Sequence, residues 1–340
     1  AILRQGLIYY NADKDEQALT KFKKVVADFP KSDEALEAVK TARSIYVDNG
    51  KVDQYATWVK SLDFVEISDA DLDNDSWEAA EKQYLQGNTK QAITNLSSYN
   101  KTFPEGLHSL KANFFLAQSL YADGQAKNAV ANYEYVIAKS RSEYTEQALS
   151  RLCEIYIKES DTPKAISVLL RLEAESDFPQ NKTYAQANLM RSYYDGKDYA
   201  NAVVYADKVL LNPKTDNKVK SDAQIIVARS AIQVGDEAKA KEAYAKLQKM
   251  AKGELAAEAL FYEAYFKNAA SKFEDSNNVI QKLAKEYSGY KYFGAKGLVV
   301  MAKKFYGLKD SFQATYILES VIKNFTDYTD VVEEAKKELD

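Results

Sequence analysis

Four aspartates, Asp69, Asp71, Asp73 and Asp75, alternate as the oxygen ligands of a calcium loop do, and they are this chain's nearest approach to a metal site. Two positions argue against such a loop. Asn74 stands where a glycine must turn the chain, and Ala80 where a glutamate must close the site. The same acids suit a helix start, with Asp75 as N-cap and Glu78 three residues on as its capping partner. The single cysteine, Cys153, has no second thiol for a disulfide or a metal pair, and the single histidine, His108, opens a helix after Pro104 with no nucleophile pattern beside it. Gly294 and Gly297 imitate a phosphate loop, but the eight-residue pattern is absent and close helix packing explains them. No acid, base and nucleophile converge, so the reading assigns no catalytic residue, no metal and no cofactor. The chemistry left to the chain is binding.

What would position a binding surface is a repeat. Ala18, Tyr55, Ala92, Ala129, Ala165, Ala202, Ala240, Ser276 and Ala314 recur at intervals of about 37 residues from end to end. Seven residues after these anchors stand Val25, Leu62, Tyr99, Val136, Leu172, Val209, Leu247, Leu283 and Val321, all apolar. Twelve residues before them, small residues predominate, from Gly6 to Ala302, as two closely approaching helices require. Prolines fit the joints: Pro30, Pro104, Pro179 and Pro213 fall where a second helix should stop, and Pro163 suits a first helical turn. Gly50, Gly87, Gly124, Gly196 and Gly235 precede anchors by five or six residues and read as left-handed helix caps. The expected fold is therefore all-α, a solenoid of stacked antiparallel helix pairs running through residues 1–340 as about nine units, with a capping helix near 328–339. The chain starts inside a helix pattern and without a methionine, so it reads as a piece of a longer repeat protein, with self-association through its open N-terminal end as one consequence.

The run from Asn188 through Leu189, Met190, Tyr193, Tyr194, Asp195, Gly196 and Tyr199 to Ala202 resembles a tetratricopeptide repeat (TPR), as does the run from Val227 through Gly235, Asp236 and Ala240 to Tyr244. The resemblance implies a right-handed superhelix whose first helices line an inner, concave face. The second unit departs from it with Tyr55 and Arg43 at positions normally small, and the eighth with Ser276. The pairs Phe29-Pro30, Phe103-Pro104 and Phe178-Pro179 also look like the repeats of bacterial envelope TPR proteins, including those of outer-membrane protein assembly and of the Tol-Pal system. That likeness implies a periplasmic or outer-membrane-associated setting, with a cytoplasmic one as the alternative.

On the inner face the resemblance implies, Glu81, Gln118, Arg191 and Arg229 lie eleven residues before their anchors, and Tyr84, Tyr121 and Tyr194 eight before. Tyrosines among charges suit capture of a protein or peptide segment, with the two arginines as donors to an acidic stretch. The expected function is a non-enzymatic protein-interaction scaffold. The alternative is a carbohydrate or peptidoglycan binder stacking sugars on the same rings. Charge is uneven: the first eighty residues hold sixteen Asp/Glu against ten Lys/Arg, whereas residues 282 to 309 hold seven lysines against Glu286 alone. With the whole chain at −4, that basic stretch reads as a solvated face and does not favour nucleic acid. No run of 18 or more apolar residues marks a membrane span.

Overall fold

The computed structural model describes residues 1–339, and every regular element among them is an α-helix. Two compact units divide the chain, Ala1–Asp177 and Phe178–Asp340. In the first, five helix pairs follow one another: α1 (Ile2–Asn11) and α2 (Asp15–Asp28), α3 (Asp33–Asp48) and α4 (Val52–Val59), α5 (Asp69–Leu85) and α6 (Thr89–Thr102), α7 (Ser109–Ala122) and α8 (Ala126–Ala138), α9 (Thr145–Lys158) and α10 (Thr162–Glu175). The second holds four pairs and a closing helix: α11 (Pro179–Asp195) and α12 (Tyr199–Leu211), α13 (Asn217–Gln233) and α14 (Glu237–Leu247), α15 (Glu254–Ala269) and α16 (Phe273–Glu286), α17 (Lys291–Gly307) and α18 (Ser311–Asn324), then α19 (Thr329–Leu339). Within each unit every pair packs on the next, and α19 packs on α17 and α18 through buried Val331 and Ala335.

The rows read from the sequence are the core. All nine anchors are buried, as are the residues seven later except Leu62. Twelve residues before the anchors, Gly6 leaves no room for a side chain, since a Cβ there would stand 2.6 Å from the Phe22 ring. Leu62 is the exception because α4 stops early, at Val59, so the following irregular segment supplies Phe64, Val65 and Ile67 to the core in its place.

One turn geometry recurs nine times. The residue five before each anchor has a left-handed backbone, with φ between 54° and 79°: Asp13, Gly50, Gly87, Gly124, Ser160, Lys197, Gly235, Ser271 and Lys309. The next N–H then reaches back to a carbonyl five residues earlier, as from Asn88 to Gln83 at 3.0 Å and from Asp198 to Tyr193 at 2.8 Å, which closes the first helix. Four of the following residues, Asp161, Asp198, Asp236 and Asp310, accept from a backbone N–H three residues on and so start the second helix. Gly196 is not the left-handed residue expected of it. Its φ is −76°, and Lys197 makes the turn.

The expected start of α5 is corrected as well. Ser68, not Asp75, is the N-cap: its Oγ accepts from the Asp71 N–H at 3.1 Å, and the Asp71 carboxylate accepts from the Ser68 N–H at 3.0 Å. Asp69, Asp71, Asp73 and Asp75 thus lie on one helix, where alternate residues point to different sides, and cannot close a ligand loop.

Candidate functional site

The face formed by first helices is where the tyrosines and charges gather, and three pairs of opposite charge on it join neighbouring repeats. In each, a residue eleven before its anchor meets the residue eighteen before the next anchor, one repeat along. In the first unit Glu81 on α5 accepts from Lys111 Nζ on α7 at 2.6 Å. In the second, Arg191 on α11 donates to Asp222 on α13 at 2.9 Å. Arg229 on α13 grips Glu258 on α15 with two bonds, Nε to Oε1 at 2.9 Å and Nη2 to Oε2 at 2.6 Å. Glu258 is only 5% exposed, and Tyr244 Oη donates to it as well, at 2.8 Å. These bonds hold the Arg229 pKa above its ordinary value, and burial raises that of the Tyr244 phenol. Each pair joins neighbouring repeats, so these charges first fix the stack.

The neutral candidates are similarly engaged. Tyr84 stacks on Phe115 with centroids 3.9 Å apart, and Gln118 accepts from the Tyr133 hydroxyl at 3.2 Å. Tyr121 donates to Glu154 at 2.7 Å beneath the Arg151 guanidinium, 4.6 Å from the ring centre, and its bond to that carboxylate raises the phenol pKa. A cleft of about 490 Å³ opens beside Tyr121 and Glu154, rimmed by Gln125, Lys127, Asn128 and Lys158. Tyr194 meets Tyr199 edge-on at 5.8 Å. Glu81, Tyr84, Gln118 and Tyr121 therefore share the first unit's face, and Arg191, Tyr194 and Arg229 lie on the first helices α11 and α13 of the second. Trp77 and Phe114, on the first helices α5 and α7, are buried: Trp77 stacks on His108 at 5.1 Å and Phe114 on Tyr144 at 4.6 Å.

Residues that the sequence reading passed over complete the second unit's face. A cleft of about 260 Å³ lies among α13, α15, α17 and α19, lined by Ile232, Phe261, Tyr262, Tyr265, Lys296 and Glu334. Lys296 stands eighteen before its anchor, but the residue it should meet by the same spacing is Tyr265, which carries no charge. Lys296 Nζ lies 5.4 Å from the Phe261 ring centre and 5.5 Å from that of Tyr292, and it has no carboxylate partner among the described residues. Glu334 is occupied by Lys303 at 3.1 Å. Burial pushes the Tyr262 phenol up to about 12, which keeps it a donor. In the sequence Lys296 follows two complementary rungs, Arg191 with Asp222 and Arg229 with Glu258, and stands opposite the uncharged Tyr265.

The residues that first suggested other chemistry are structural. The buried Asp73 accepts from Tyr99 Oη and from the Leu107 N–H at 2.7 Å, fixing the joint before α7. Asp75 receives the Arg43 guanidinium, with Nε at 2.8 Å, so the arginine that departs from the repeat pattern has a buried counter-charge. His108 bonds Asn74 at 2.7 Å. Cys153 is fully buried, and burial pushes its thiol up to about 12, far from a reactive thiolate.

Helix pairs of this period, turn and packing define a class. The tetratricopeptide repeat family model matches residues 1–32, which span α1 and α2, and the later pairs repeat that pair's turn and buried anchors. The chain is a solenoid of such tetratricopeptide-like helix pairs, the first of which matches the family model. Among solved structures it is similar to a tetratricopeptide repeat protein from Parabacteroides merdae ATCC 43184, at 14% identity over 78% of this chain and 98% of that one, with a TM-score of 0.37. The TPR domain of P58(IPK) is 16% identical over 99% and 96% of the two chains, with a TM-score of 0.29. PilW, a type IV pilus biogenesis factor, is 16% identical over 73% and 91%, with a TM-score of 0.32. Superpositions this loose add nothing to what the helix pairs show. No curated protein matches the sequence. The TPR fold is typically a non-catalytic scaffold for protein partners. No described helix is long and apolar enough to cross a membrane.

Proposed function

We propose that this protein is a non-enzymatic scaffold that holds a partner segment on its first-helix face, and that in the second unit the segment is anchored by an acidic residue on Lys296 and an adjacent apolar side chain on Tyr262 and Tyr265. One observation carries this reading: Lys296 stands over an aromatic floor without a carboxylate partner among the described residues, whereas Arg191 and Arg229 at the two preceding rungs have Asp222 and Glu258. Arg229 and Arg191 flank the anchor and act on a partner only in competition with Glu258 and Asp222. In the first unit, Tyr84, Gln118, Tyr121 and Glu81 form the corresponding surface, with the cleft beside Tyr121 as its opening. The cell-envelope setting that the phenylalanine-proline joints suggest belongs to the same proposal.

A displayed library of random peptides tests it. The wild-type protein is expected to enrich peptides with an acidic residue beside an aromatic or aliphatic one, and Lys296→Glu is expected to turn that preference toward basic residues. Enrichment of the same motif by both proteins, or binding of glycan fragments with no peptide enrichment, overturns the reading. Circular dichroism of the variant keeps loss of fold separate from loss of recognition.

A further inference from the structure

The joints between helix pairs carry a second charge pattern, on a different part of each unit from the first-helix face. In the first unit the cations inside the joints pair with an acid of a neighbouring joint or helix end, while Lys101, bordering the joint before α7, is exposed and has no ion pair among the described residues. Lys31 pairs with Asp63 at 3.4 Å, Lys60 with Asp69 at 3.9 Å, Lys139 with Glu105 at 3.1 Å and Arg141 with Asp177 at 2.6 Å. In the second unit the pattern stops. Lys214 lies in the joint between α12 and α13, Lys249 and Lys252 in that between α14 and α15, and Lys285 and Lys291 border that between α16 and α17. All five are exposed, and none has an ion pair among the described residues. Asp216, Glu254 and Glu286 are interleaved with them, and none has an ion pair to a lysine among the described residues.

Beside these cations the joints expose apolar side chains. Leu211 ends α12 at 83% exposure, Met250 is 52% exposed, and Tyr290 is 37% exposed. The joints adjoin one another, because Tyr290 reaches across to the α14–α15 joint: a Cβ on Gly253 would stand 2.9 Å from its hydroxyl. Equivalent joints of successive pairs lie along one edge of a repeat stack. The edge therefore presents lysines without ion-pair partners on flexible stems, with the exposed Leu211, Met250 and Tyr290 between them.

We propose that this edge of the second unit docks on an anionic lipid surface. Lysine ammonium groups meet headgroup phosphates while Leu211, Met250 and Tyr290 enter the interface below them. The apolar members decide for lipid over a merely acidic macromolecule, since a polyanion in water offers them nothing to enter. The proposal is independent of the peptide reading, which concerns Lys296 and the first-helix face.

Cosedimentation with vesicles of phosphatidylcholine, with and without phosphatidylglycerol, tests it on the full chain. The protein is expected to bind the phosphatidylglycerol vesicles and not the neutral ones, with affinity falling as salt rises. Lys249→Glu, Lys252→Glu, Lys285→Glu and Lys291→Glu together are expected to abolish binding, at about fivefold or more per lysine. Leu211→Ser with Met250→Ser is expected to weaken binding about tenfold. Lys139→Gln with Arg141→Gln, in the first unit, is expected to leave it unchanged. Equal binding by wild type and the quadruple variant overturns the proposal. So does binding that ignores the Leu211 and Met250 changes while polyglutamate or duplex DNA is bound as tightly, which would make the edge a site for charge alone.

Discussion

The two units are built by the same packing rules and differ in what they do with charge. In Ala1–Asp177 Glu81 on the first helices and the cations inside the joints find opposite charges on the chain itself, as does Arg43 over a buried Asp75. From Phe178 onward the ladder begins the same way, with Arg191 on Asp222 and Arg229 on Glu258, and then breaks at Lys296, while the joint lysines stay unpaired. Packing is thus a property of the repeat, shared by every copy, whereas the unanswered charges belong to particular copies.

The largest expected difference between the units is alkaline. Phenols raised above their ordinary pKa include, in the first, Tyr55, Tyr84, Tyr99, Tyr133, Tyr144 and Tyr156 mainly by burial and Tyr121 by its bond to Glu154, and, in the second, Tyr244, Tyr262 and Tyr292 mainly by burial. Unfolded phenols ionise near about pH 10. Below that both states keep their protons and these groups do not affect the balance. Above it the unfolded chain loses protons that the folded chain retains, so stability falls as pH rises from about 10 toward about 12, the value reached by Tyr144 and Tyr262. The first unit should lose amide protection earlier in that window, with tyrosinate absorbance rising in the same transition. Equal protection of both units at pH 11 would break the comparison.

Next in size are the ladder rungs. Arg43→Ala and Arg229→Ala each strand a buried carboxylate and should cost about 3 kcal/mol. Lys111→Ala leaves Glu81 with water nearby and should cost about 1 kcal/mol or less. Hydrogen exchange resolved by peptide should place the losses in α3–α5 for Arg43 and α13–α15 for Arg229. Similar small losses for all three would mean that the buried acids are not dependent on their arginines.

Much of the fold was legible because packing repeats. A small anchor recurs in eight of nine copies and an apolar residue seven later in all nine, and the summed pattern outweighs the single departure at Tyr55. The site was less legible because its residues were read one copy at a time. Arg191 and Arg229 look like cations awaiting a ligand until Asp222 and Glu258, about thirty residues on, are set beside them. Lys296 has no mark of its own in the sequence and stands out only when the missing charge at Tyr265 is noticed. Asp75 was misjudged for a local reason: a complete capping box at Ser68 and Asp71 starts α5 earlier than the second, incomplete one at Asp75 and Glu78.

The smallest effect tests the turn that every copy shares. Gly196 and Lys197 invite a simple assignment, glycine as the left-handed residue, and the backbone reverses it, with φ −76° at Gly196 and 61° at Lys197. A left-handed residue with a side chain costs roughly 1 kcal/mol more than glycine there. Lys197→Gly should therefore stabilise the second unit by up to about 1 kcal/mol, offset in part by the greater entropy of glycine in the unfolded chain. Gly196→Ala, at an ordinary helical end, should be neutral or mildly stabilising. Urea denaturation separates the cases. If Gly196→Ala were the destabilising change and Lys197→Gly neutral, the turn would be made one residue earlier, and the spacing of five residues to the anchor would fail in this copy while holding in the other eight.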